Sequence, residues 1–158
     1  RWVCRRKTLV PSSKKHVPKA VLDANVWVSA LLWGGIPAEI IKASEQRKVR
    51  LFASEEIVRE ISQVLNYPKL RKVYEAEEMN HEELIEAVLK VVQFVQVTRR
   101  VKVVLEHPAD DKFLECALEA KADYVVSGDK HLLKVGNYEK IQVVSVRDFL
   151  GVLETKHK

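Results

Sequence analysis

The chain has 158 residues, 47% of them apolar, and a formal net charge of +5. That length suits one domain burying ~70% of its unfolded surface, and no segment approaches the ~20 apolar residues that span a bilayer, which argues against a membrane protein. Two cysteines, Cys4 and Cys116, lack any metal-ligand spacing, which excludes a disulfide framework or zinc cluster and fits a reducing cytoplasm, with Cys116 as a small core residue.

The positive charge is confined to one end. Residues 1–19 carry seven of the 27 Lys/Arg and no acid, so the remainder has 20 basic against 22 acidic residues, a net of −2. Residues 1–18 are expected to be a basic, poorly ordered leader, with a nucleic-acid-binding arm as the alternative. The body is expected over 19–153, with a short tail at 154–158.

In chain order, strand-like apolar runs and helical patterns alternate, the signature of an α/β domain. A strand is expected over 20–23, then a helix over 26–33 ending at Gly34-Gly35. Pro37 opens a helix over 38–46, since proline is tolerated in a first turn. A strand over 49–53 leads to Ser54, a good N-cap for a helix over 55–65 whose first turn carries Glu55 and Glu56. Pro68 ends that segment, and 69–76 is helical. Asn80 and Glu83 start a helix running to Phe94. A further strand-like run covers 101–105, a helix covers 111–120, and strands cover 124–127 and 141–144. Ser145 with Asp148 resembles a capping box for a closing helix. Trp27 and Trp33 on the first helix are expected in the core. Val/Leu runs bounded by turn residues suit strands covered on both faces, as in a parallel sheet.

Two of these runs end alike, Val21-Leu22-Asp23-Ala24-Asn25 and Val125-Val126-Ser127-Gly128-Asp129. Parallel sheets bind ligands beyond the carboxyl ends of their strands, so both aspartates belong at that edge. Carboxylates gathered there repel each other unless a cation is shared, and an oxygen-rich set suits Mg²⁺ or Mn²⁺ rather than zinc. Each pair taken singly also fits ordinary turn chemistry.

Pro108-Ala109-Asp110-Asp111-Lys112 supplies a third acid, because two adjacent aspartates exceed what a helix cap needs. Glu115 shares a helix face with Asp111, with solvent exposure as its default. On the 55–65 helix, Ile57, Val58, Ile61, Val64 and Leu65 form one stripe, and Glu60 lies ~40° beyond its edge, where a carboxylate can reach inward. The five histidines are scattered, with no HExxH spacing, and neither a GxSxG elbow nor a Gly-rich phosphate loop is present.

With these residues in place, the chain resembles a PIN domain, in the branch that includes the VapC-like toxins of toxin–antitoxin systems. The resemblance runs from about Lys19 to Leu150. It rests on Leu22-Asp23-Ala24-Asn25-Val26, on Glu60 within its helix followed by Tyr67-Pro68-Lys69-Leu70, on Asp110-Asp111-Lys112-Phe113-Leu114, and on Ser127-Gly128-Asp129. Ala24 stands where the family often has threonine, and the basic leader is outside the pattern.

The resemblance implies a three-layer α/β/α fold, related to the 5′-nucleases, with a mainly parallel sheet of four to five strands. It implies a metal-dependent endoribonuclease that hydrolyses RNA, with Asp23, Glu60, Asp111 and Asp129 as catalytic and metal-binding acids and Mg²⁺ or Mn²⁺ as cofactor. Asn25 and Ser127 would support them, Asp110 leaves the third position ambiguous by one residue, and Lys112 and Lys130 are candidates to meet the substrate's charge. Expected partners are RNA, an antitoxin protein and a second copy in a homodimer, in the cytoplasm and off the membrane. An RNA-processing nuclease that is not a toxin, a phosphatase-like site and a non-catalytic Mg²⁺-binding module are the alternatives.

Overall fold

The first apolar run pairs along both its sides in the computed structural model, which describes residues 16–156; Cys4 and the basic stretch before residue 16 lie outside the described residues. This run is β1, Lys19–Leu22, followed by α1, Ala24–Leu32, and α2, Gly35–Glu45. Then come β2, Arg50–Ala53; α3, Glu55–Leu65; α4, Pro68–Ala76; and α5, His81–Val91. The short strand β3, Gln93–Phe94, precedes an irregular segment and a 3₁₀ turn, Pro108–Asp110. The chain closes with α6, Asp111–Ala120; β4, Tyr124–Val126; α7, Lys130–Leu133; β5, Asn137–Tyr138; β6, Ile141–Val144; and α8, Val146–Lys156.

The sheet order is β3-β2-β1-β4-β6-β5. All pairings are parallel except β5 with β6. Helices cover the sheet, as continuous apolar strands require. From β1 the chain steps outward to β2 and β3, then returns to lay β4 on the other side of β1 and continues to β6. The β1–β4 junction is therefore the topological switch point, where such sheets open a crevice at their carboxyl edge. Register aligns the two strand ends: Leu22 is opposite Val126, and Val126 opposite Val144.

The core holds Trp27, Tyr74, Phe113 and Phe149 fully buried, and the Tyr74 hydroxyl donates to the Leu65 carbonyl at 2.8 Å. Burial of Cys116 pushes its thiol up to about 12, in keeping with its expected place in the core.

Several local expectations change. The 101–105 run is not a strand, because its amides are taken by carboxylates: Val101 donates to Glu115 Oε2 at 3.0 Å, and Val103 and Val104 donate to Asp111 Oδ1 at 3.0 and 2.8 Å. The helix expected to reach Phe94 stops at Val91, and Gln93 pairs with Phe52. With the two-residue strands β3 and β5, the sheet has six strands rather than four to five. The first helix starts two residues early, at Ala24, because Asp23 caps it. Trp33 lies past the end of that helix and is 59% exposed, so only Trp27 joins the core. The second helix begins at Gly35, the chain turning at Gly34 with φ 66° and ψ −125°, a combination that glycine adopts for want of a Cβ. The closing helix continues through Lys156, beyond the boundary expected at 153.

Candidate active site at the carboxyl edge of the sheet

Asp23 ends β1 and caps α1 within one residue. Its backbone N–H donates to the Val126 carbonyl at 3.0 Å, continuing the β1–β4 ladder, while its Oδ1 accepts from the Val26 N–H at 2.8 Å. Its Oδ2 accepts from the hydroxyl of Ser127, the residue just after β4. Ser127 Oγ in turn accepts from the Asp129 N–H at 2.9 Å, so one buried hydroxyl fixes one aspartate's side chain and the other's backbone. Asp129 Oδ1 caps α7 through the His131 N–H at 2.7 Å.

Asp110, at the end of the 3₁₀ turn, is the third acid here. It is 7% exposed, and its Oδ2 is buried without a hydrogen-bond partner; His107 Nδ1 stands 3.1 Å away but out of hydrogen-bond alignment. Burial raises the carboxyl of Asp23 above its ordinary range against the pull of Ser127 and Val26, and the charges of Asp110 and Asp129 add to the rise. Burial also raises Asp110, with His107 opposing and the charges of Asp129 and Glu60 adding to the rise. Asp110 and Asp129 thus bear on Asp23, and Asp129 and Glu60 on Asp110, at the switch point.

Glu60 reaches inward from the margin of the buried face of α3, where it pairs with the Lys112 ammonium from the first turn of α6. Lys112 was expected at the substrate, yet it is 19% exposed and engaged with Glu60. Lys130 is exposed beside Asp129. Asn25 is exposed on the first turn of α1, away from the buried contacts of Asp23.

Asp111 departs from expectation. Its carboxylate accepts the two amides of the 101–105 segment and is buried in that role. One helical residue turns a side chain by about 100°, so only one of the adjacent aspartates can face the crevice, and it is Asp110. Glu115, expected in solvent, is buried as well, holding the Arg100 guanidinium at 3.0 Å and the Val101 amide.

An all-oxygen set with an unpartnered buried carboxylate oxygen has the donor chemistry of a hard divalent cation. Among the described residues no three His, Cys, Asp or Glu side chains stand at coordinating distances together; Lys112 holds Glu60 aside, and Ser127 holds one oxygen of Asp23. The residues fit the cation in kind and in mutual charge.

Two histidines also border the site. His107 stands against Asp110, His131 follows Asp129 by two residues, and their rings stack at 5.8 Å between centroids with an interplanar angle of 8°. Their positions beside the two acidic motifs were the sequence signal that scattered spacing concealed.

A PIN-domain family model matches residues 19–131, a span that contains Asp23, Glu60, Asp110 and Asp129. The uncharacterized protein MJ1680 of Methanocaldococcus jannaschii is 32% identical over 123 residues, 77% of each chain. The crystal structure of PAE2754 from Pyrobaculum aerophilum shares the fold, with a TM-score of 0.57 at 14% identity over 88% of this chain and 91% of that one. A mainly parallel sheet between helices, acids at its switch point and a family match across most of the body agree: the chain belongs to the PIN-domain family, whose members are typically metal-dependent nucleases.

Proposed function

We propose that the protein is an endoribonuclease that hydrolyses RNA phosphodiester bonds with Mg²⁺ or Mn²⁺, and that it serves as the toxin of a toxin–antitoxin pair in the cytoplasm. The observation that supports this best is the gathering of the buried carboxylates of Asp23 and Asp110, one Asp110 oxygen without a hydrogen-bond partner, beside the half-buried Asp129 and Glu60 at the switch point. A protein keeps such an arrangement at a cost in stability that a bound cation offsets.

Asp23, Asp110 and Asp129 would hold the cation, and Glu60 would complete the shell or orient the attacking water. The cation supplies Lewis acidity at the phosphate and an activated water. The chain's own part is placement. Ser127 orients Asp23 and Asp129 together, the cap on α1 pins the second oxygen of Asp23, and Lys112 neutralises Glu60. Lys130 meets the phosphate charge that a body of net −2 does not attract.

The test is cleavage of unstructured RNA with Mn²⁺, Mg²⁺ or chelator, by wild type and by Asp23→Asn. Cleavage that requires the metal and is lost in the folded variant supports the reading, and undiminished cleavage by folded Asp23→Asn sinks it. The toxin role predicts growth arrest on expression, relieved by a co-expressed partner chain, and size measurement checks the homodimer that belongs to the same reading.

A further inference from the structure

Metal and acids account for the bond that breaks but not for how a ribose-linked base is held beside it. The cation and Lys130 meet the phosphate charge without reading the base, so a base preference has to come from contacts indifferent to charge. The face of an aromatic ring is such a contact, because every base presents a π-face to it.

The only stacked ring pair bordering the acids among the described residues is His107 with His131. The two side chains come from different elements, the turn before Asp110 and α7, and they are 52% and 31% exposed. Their planes are parallel to within 8°. Each ring also faces an acid on the turn, His131 Nδ1 standing 3.8 Å from Glu106 Oε1, which Lys134 Nζ approaches at 3.3 Å, and His107 Nδ1 standing 3.1 Å from Asp110 Oδ2. This ties the turn to α7 before any ligand arrives, so little ordering is left to be done on binding. Leu105, two residues before His107, is 80% exposed on the same turn. A core histidine pair would be covered, and a metal-binding pair would have a third donor at coordinating distance, which is absent among the described residues.

We propose that His107 and His131 form a stacking platform for one nucleobase of the RNA next to the scissile phosphate, and that this platform sets a base preference at that position. The proposal rests on the nuclease reading. The rival is that the pair serves only to position Asp110 and Asp129.

The experiment compares His107→Ala, His131→Ala, His107→Phe and His131→Phe in Mn²⁺-dependent cleavage of a mixed-sequence single-stranded RNA, with folding checked by circular dichroism. It reads kcat, KM and the bases flanking each cut. The platform predicts that alanine at either histidine raises KM about tenfold, the size of one lost base–aromatic contact, and flattens the preference at one flanking base. In His131→Ala, whose ring touches none of the proposed metal-binding acids, kcat stays within about twofold; His107, 3.1 Å from Asp110, is read by KM and base preference only. Phenylalanine, which keeps the π-face and loses the ring nitrogens, restores KM and the preference. Phenylalanine variants as impaired as alanine in KM and base preference, or a loss confined to kcat in His131→Ala, overturn the platform in favour of positioning. Robust wild-type cleavage with unchanged KM in the alanine variants overturns the platform alone. No metal-dependent cleavage by wild type removes the nuclease reading and the platform with it.

Discussion

Two groups of buried acids meet at the N-terminal end of α6, and they are compensated in opposite ways. On one side, Asp111 and Glu115 accept three backbone amides and an arginine. On the other, Asp23 and Asp110 lie in a shared repulsive field, and one oxygen of Asp110 has no hydrogen-bond partner at all. Burial is similar in both, so burial by itself does not mark a site. What separates them is the kind of neighbour: Asp111 and Glu115 meet backbone amides and an arginine and fasten the 101–105 segment, whereas Asp23 and Asp110 face other carboxylates, with one Asp110 oxygen left without a hydrogen bond.

The sharpest way to break this contrast is to exchange the neighbours. Asp110→Asn is expected to lower RNA cleavage at least about 100-fold, beyond the loss typical of outer-shell partners, whereas Asp111→Asn, which keeps an acceptor for the two amides, is expected to cleave nearly as wild type. Rates for the two purified variants decide it, and equal losses would erase the distinction. Next in size, Ser127→Ala is expected to lower cleavage by about 10- to 100-fold by releasing Asp23 and Asp129 together, with wild-type circular dichroism.

The fastener side is probed by stability. Asp111→Ala leaves two buried amides without an acceptor and is expected to destabilise the fold by about 1–3 kcal/mol in denaturant titration, with an ordinary rate per folded molecule.

The smallest effect is one of pH. Asp23 and Asp110 bind a proton more readily in the folded chain than in the unfolded one. Their contribution to stability is therefore fully present below the ordinary carboxyl value of 3.8 and lost as pH rises through their raised folded values. In metal-free buffer, Asp110→Asn should melt above wild type at neutral pH, and the gap should close on acidification. A gap that widens in acid would contradict the raised carboxyls.

Much of this was legible along the chain. Apolar runs ending in Asp23 and at Ser127 became adjacent parallel strands in register, because a period-free apolar run is buried on both faces wherever it falls. The phase of Glu60 on its helix placed it at the inner margin, and Ser54 and Asn80 cap the helices they were expected to cap. The 101–105 run misled because a valine-rich stretch reads as a strand whether its amides meet another strand or a carboxylate. Trp33 misled because periodicity does not say where a helix stops.

Local pattern alone determined that acids would gather at one edge of a parallel sheet, since strand ends, caps and helix phase are set by residues within a turn of each other. Which of two adjacent aspartates faces the crevice, that Lys112 pairs with Glu60 from a different helix, and that His107 meets His131 were decided only by tertiary structure. Those contacts join residues 24 to 52 positions apart, and their geometry depends on how α3, α6 and α7 are packed around the sheet, which no local spacing encodes.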